Sequence, residues 1–113
     1  MAYDEDLAER FRQAVGGLGD ISEKRMMGGV CFLLNGNMLG GADRNKKGLQ
    51  RFMFRVGKDN HAKALERPGA MPMEMGGRRM RGFIFVDAGN CDDRMLGGWI
   101  ELARSFVAGL PAK

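Results

Sequence analysis

Between Ile21 and Val56 the apolar residues stop recurring every three or four positions and begin to alternate. That change of period constrains the fold more than any other feature of the chain. Ser22 to Met26 reads as a first strand and Val30 to Leu34 as a second, mostly apolar one. Asn35-Gly36-Asn37 is a hairpin signal, because Asn and Gly accept the positive φ that tight turns require. Met38 to Ala42 returns as the third strand, with Gly40-Gly41 marking a bulge or a close backbone approach. A polar, basic loop from Asp43 to Gly48 leads into Leu49 to Val56, where the alternation is cleanest. There Phe52, Phe54 and Val56 point to one face, and Arg51, Met53 and Arg55 to the other.

Helical periods frame this region. Leu7, Phe11, Ala14 and Leu18 form one apolar stripe, predicting a helix from Asp4 to Val15 with Asp4, Glu5 and Asp6 at its dipole-favoured start. Gly16, Gly17 and Gly19 stop it. Asp59 or Asn60 is expected to cap a short second helix that Pro68-Gly69 ends. Met71 to Met75 and Arg79 to Val86 read as strands around Gly76-Gly77. The last helix is expected near Asp92, capped by Asn90, with Met95, Trp99, Leu102 or Ala103, Phe106 and Leu110 facing inward. Gly97-Gly98 within it costs about 1 kcal/mol per glycine relative to alanine, which predicts close packing there. The fold class is α+β: an antiparallel sheet with helices packed on one face and terminal helices flanking the strands.

At 113 residues the chain is long enough for one domain, spanning residues 1–113, that folds without metal or disulfide staples. Its two cysteines, Cys31 and Cys91, are far apart and are expected as buried apolar residues in a reducing compartment. Cys91 is expected at a helix start, where the dipole lowers a thiol pKa. No apolar run reaches a membrane span, and the acidic N-terminus is unlike a leader peptide, so the expected location is cytoplasmic.

The chain contains no threonine, only Ser22 and Ser105 as serines, and a single histidine, His61, expected on a solvated helix face. Hydrolytic triads and metal centres need more than this. No catalytic, cofactor-binding or metal-ligating residue is expected, and no cofactor. Asp92-Asp93 suits a helix start, and Trp99 an apolar core.

The pattern becomes specific at Lys24-Arg25-Met26-Met27-Gly28-Gly29-Val30-Cys31-Phe32. The same order continues through Phe52-Met53-Phe54-Arg55-Val56, Arg67-Pro68-Gly69-Ala70, Gly82-Phe83-Ile84-Phe85-Val86 and the Trp99 helix. This resembles the TfoX N-terminal domain family, the TfoX/Sxy competence regulators, over nearly the whole chain. The resemblance implies a secretion-chaperone-like α+β fold and a role in transcription of DNA-uptake genes. It supplies no catalytic residues. Well-studied members carry a second, helical domain, so the reading is of the N-terminal domain standing alone.

Two binding surfaces are expected. Met71, Met73 and Met75 alternate beside a strand that is apolar on both faces, with Phe83 and Phe85 on one of them. These five residues are the expected interface of a homodimer or of an unidentified protein partner. From Arg44 to Arg81 there are 11 basic and 3 acidic residues, a surplus of +8 in a chain of net charge +4. Lys46, Lys47, Arg78, Arg79 and Arg81 are the expected phosphate contacts. The function that follows is a non-catalytic interaction module; the alternative is weak, non-specific nucleic-acid binding through residues 44–81.

Overall fold

The computed structural model describes residues 5–26 and 29–113. The expected helix start at Asp4 and the Met27-Gly28 part of the segment Lys24 to Phe32 lie outside the described residues. Helix α1 spans Glu5–Ala14 and is followed by strands β1 (Ile21–Met26), β2 (Gly29–Leu34), β3 (Asn37–Arg44) and β4 (Gln50–Arg55). A 3-10 turn (Lys58–Asn60) opens α2 (His61–Leu65), and the hairpin β5 (Ala70–Met75) and β6 (Arg78–Asp87) follows. A second 3-10 turn (Ala88–Asn90) leads into α3 (Asp93–Val107).

The strands form one antiparallel sheet in the order β1-β2-β3-β4-β6-β5. The Asn35-Gly36 turn has φ of 54° and 84°, the two positive values a tight right-twisting hairpin needs. Gly40 and Gly41 are close-approach glycines, as expected. A Cβ on Gly40 would lie 2.3 Å from the Met53 carbonyl oxygen and 3.0 Å from Phe11, and one on Gly41 would lie 2.4 Å from the Val30 carbonyl oxygen.

Alternation along the strands sorts residues onto two faces. The inner face carries Phe32, Phe52, Phe54, Ile84 and Val86, all buried, and the helices cover it. Phe11 of α1 stacks on Phe32 (4.6 Å between centroids) and Phe54 (5.8 Å), and Trp99 of α3 stacks on Phe54 at 5.4 Å. Trp99 is thus a core residue. Helix α2 contributes Ala64 to the same core.

Local expectations for the helices need correction. The buried side of α3 is Leu96, Trp99, Ile100, Ala103 and Val107, with Met95, Leu102 and Phe106 at its margins. Leu110 lies past the helix end. The stripe is turned by one residue from the expected one, with Leu96 and Val107 inward in place of Met95 and Phe106, in the helix that follows the second 3-10 turn. That same turn occupies Asn90, whose side chain bonds Asp87 at 3.0 Å, so Asp92 caps α3 instead and accepts from the Met95 N–H at 2.8 Å. Gly97 and Gly98 are exposed and not closely packed: a Cβ on Gly97 would meet nothing within 4 Å. Neither Asp59 nor Asn60 caps α2 with its side chain; Asn60 donates back to the Val56 carbonyl at 3.0 Å.

Candidate functional site

The outer face of the sheet is built from the other residues of the same strands. Cross-strand register sets Lys24, Cys31, Gly41, Met53, Phe85 and Met71 in one row, one residue from each strand. Toward β5 this row becomes an apolar strip. Met53, Met71, Phe83 and Phe85 are each half-buried, in contrast to the fully buried inner residues beside them. The expected alternation of Met71, Met73 and Met75 is interrupted, because the β5–β6 register shifts between Pro72 and Glu74. Met71 lies directly opposite Phe85, Met73 is half-buried at the irregularity, and Met75 pairs with Arg78. Nothing is described of the Met75 side chain.

Arginines overlay this strip. The Arg51 guanidinium lies 3.7 Å from the centre of the Phe85 ring and forks onto Asp43, with contacts of 3.0 and 2.7 Å. A guanidinium held flat by a carboxylate and a ring face keeps its remaining N–H groups in a fixed plane. Sequence reasoning placed Arg51 on this face but not its pairing with Asp43. The eight-residue separation becomes a direct cross-strand pair only once the β3–β4 register is known.

The basic residues do not converge. Lys46 and Lys47 sit exposed in the β3–β4 loop, where the Asn45 side chain accepts from the Lys47 and Leu49 N–H groups at 3.0 and 2.9 Å. Arg78, Arg79 and Arg81 are exposed at the start of β6. Register sets Gln50 at the loop end of β4 and Arg55, opposite Phe83, at the other. The two basic groups are therefore separated by on the order of 20 Å along the strands. Arg81 instead meets Arg55 and Lys58 around a cleft of about 240 Å³, also lined by Gly57, Asp59, Gly82, Phe83 and Phe106. Neither Arg55 nor Lys58 stood out in the sequence as a contact residue. The signal available there was the pair Gly57 and Gly82, both at positive φ, where the chain leaving β4 packs on the middle of β6.

A larger depression, about 580 Å³, lies between α1 and the β6–α3 connection and is lined in part by Leu7, Arg10, Asn90, Cys91 and Asp92. Arg10 ties its walls together, donating to the Cys91 carbonyl at 2.6 Å and pairing with Asp93 at 3.1 Å. The expectation of a dipole-activated Cys91 is corrected: Cys91 precedes the cap residue, is 2% exposed, and burial pushes its thiol pKa up. Cys31 is also buried and its pKa is pushed up to about 11 by desolvation. His61 is not solvated; it is 9% exposed and its Nδ1 accepts the Gly82 N–H at 2.9 Å. Burying that imidazole satisfies a backbone donor at the point where β6 bends. Among the described residues, no three of His, Cys, Asp and Glu are grouped to hold a metal ion, and no helix is long and apolar enough to cross a membrane.

Comparison with curated proteins gives no match, and neither does comparison with solved structures. A family model does match: that of the TfoX N-terminal domain, over residues 13–107. The matched span runs from within α1 to the last residue of α3 and includes every strand that builds the two faces. The chain belongs to the TfoX N-terminal domain family.

Proposed function

We propose that this chain acts by binding rather than by catalysis, as a regulatory interaction module that pairs with a second copy of itself through the outer sheet face. The observation that carries the reading is the strip Met53–Phe85–Met71, half-buried and continuous across three neighbouring strands. Flexible thioethers, aromatic rings and an immobilised arginine are the side chains that interface centres favour. The sheet edges suit pairing less well. Edge strand β1 exposes Glu23, Lys24 and Arg25, and edge strand β5 carries Pro72, both of which oppose strand addition.

Membership of the family supports a competence-type regulatory role in the cytoplasm, with a further protein partner reached through the same module. Light scattering at micromolar concentration is expected to give twice the chain mass, and Phe85→Glu to return a monomer with unchanged helix content. A wild-type chain that is monomeric throughout overturns the dimer.

The exposed Lys46, Lys47, Arg78, Arg79 and Arg81 support a second reading, weak binding of nucleic acid through phosphates. Their placement at opposite ends of the sheet favours electrostatic contact without sequence preference. Retention on duplex DNA is then expected to fade steeply with salt. Tight, sequence-selective binding that survives high salt would reverse the order of the two readings.

A further inference from the structure

The cleft at the far end of β4 is assembled from four separate parts of the chain. Arg55 closes β4, Lys58 and Asp59 lie in the 3-10 turn, Arg81 and Phe83 come from β6, and Phe106 comes from the last turns of α3. Its floor is the contact between Gly57 (φ 88°) and Gly82 (φ 90°). A Cβ on Gly82 would lie 3.1 Å from both the Gly57 carbonyl carbon and the Lys58 nitrogen, and one on Gly57 would lie 2.5 Å from the Phe106 ring, so glycine lets the backbone and Phe106 pack this closely. The Gly82 carbonyl accepts from the N–H groups of Val56 and Gly57 (2.8 and 3.1 Å), and its own N–H is held by His61. These bonds fix the backbone behind the cleft.

The walls are cationic and aromatic. The Arg55 guanidinium lies between two phenyl rings, 5.8 Å from the centre of Phe83 and 5.6 Å from that of Phe106. Arg51 is neutralised by Asp43, Arg12 by Glu23 and Arg104 by Glu101. By contrast, Arg55, Lys58 and Arg81 form no ion pair among the described residues. Three unpaired cations thus face one small cleft with a single carboxylate, Asp59. Concentrating like charge in this way is unfavourable unless an anion enters.

We propose that this cleft binds a phosphate monoester on a small hydroxylated organic body. Three cations against one carboxylate leave a surplus matched to a dianion rather than to a monocarboxylate. Arg55 offers a planar fork of N–H donors to two phosphate oxygens, Arg81 offers a second fork, and Lys58 supplies a compact point charge beside them. Phe83 and Phe106 give the ligand's carbon atoms an apolar wall, and Asp59 accepts from its hydroxyl groups. The volume is below the roughly 300–1,000 Å³ of sites for drug-sized ligands, so a phosphate with a short attached body fills it. Arg55 and Phe83 lie two residues along β4 and β6 from Met53 and Phe85, so the cleft sits at the margin of the outer face, beyond the Met53–Phe85–Met71 row.

Amide chemical shifts of the full chain test this with ribose 5-phosphate, inorganic phosphate, ribose, acetate and a short DNA duplex. Ribose 5-phosphate is expected to shift Gly57, Gly82, Phe83 and Phe106 saturably at millimolar concentration. Inorganic phosphate should do so more weakly, and ribose and acetate not at all. Lys58→Gln with Arg81→Gln, both exposed and therefore tolerated by the fold, is expected to weaken binding at least tenfold, since each charged hydrogen bond is worth about that factor or more. Lys46→Gln with Lys47→Gln should leave it unchanged. Three results would each overturn the assignment: no saturable shift with either phosphate compound, equal loss in the two double variants, or a response at the cleft to DNA alone.

Discussion

The two faces of the sheet are written in alternate letters of the same strands, yet they are finished differently. On the inner face the row Val30–Ala42–Phe52–Val86 is buried under three helices, and Phe52 sits between neighbours from α1 and the sheet itself. One residue further along each strand, Cys31, Gly41, Met53 and Phe85 form the outer row, which is closed toward β2 and half-open toward β6. The inner face gains stability from contact area with helices. The outer face leaves its rings half-open under guanidinium groups, Arg51 on Phe85 and Arg55 on Phe83, whereas Phe52 and Trp99, which Arg10 and Arg67 also approach, are buried. A ring covered by a guanidinium stays compatible with water and with a partner, which a ring buried under a helix does not.

The largest effect that would break this comparison concerns two phenylalanines on adjacent strands. Phe54→Ala removes a ring stacked between Phe11 and Trp99 and is expected to cost about 3–5 kcal/mol in urea denaturation. Phe85→Ala, on the outer face, is expected to cost the monomer roughly 1 kcal/mol, the value of a partly buried ring and one cation contact. Equal losses would mean that the outer face is already core.

The next test sharpens the closed end of the outer row. With its pKa pushed from 9.0 to about 11, Cys31 carries on the order of a hundredfold less thiolate than an unfolded control below pH 9. Alkylation of the native chain at mildly alkaline pH should be slowed by at least that factor. Fast modification of Cys31 would show that the outer face opens there.

Smaller effects separate the two sides of α3 and the two edges of the sheet. Gly97 faces solvent with room for a Cβ, so Gly97→Ala is expected to stabilise by about 0.5–1 kcal/mol and to raise the melting temperature. A loss would mean that the helix is covered on that side after all. The smallest effect lies at the β1 edge, where Arg12 holds the Glu23 carboxyl below its ordinary value. A lowered folded-state pKa contributes stability that is present above the unfolded value near 4.5 and is lost as pH falls through the folded value. Because the pair is partly exposed, Glu23→Gln should flatten that acid limb by only a few tenths of a kcal/mol.

What was legible in the sequence was whatever depends on neighbours. Alternation around Phe52 and Phe54 and the Asn-Gly turn gave the strands, and Gly40-Gly41 gave the close approach of β3 to both partners. What was not legible depends on register and on connection geometry. A three-residue 3-10 turn before α3 takes up Asn90 and moves the cap to Asp92. His61, polar and on a helix, looks solvated until the bend at Gly82 presents a backbone donor to it. The same holds for the candidate sites. The run of positive charge is real in sequence, but the β4–β6 register sends Arg81 to Arg55 and Lys58 and leaves Lys46 and Lys47 at the opposite end.

The stacking of Phe54 between Phe11 and Trp99 also sets an order of events in time. Strands β1 to β3 each pair with their immediate successor, so the β1–β4 part of the sheet closes through short loops and forms early. Its greasy side cannot be shielded by α1 alone, because half of the shield, Trp99 with Leu96, Ile100 and Ala103, comes from the last helix. During synthesis a finished four-stranded meander must therefore wait, covered by α1 alone, for roughly forty further residues to be made, several seconds at ordinary translation rates. That interval is when this chain is most exposed to aggregation, and substitutions that slow the docking of α3 should lower the yield of folded protein even where they leave its final stability intact.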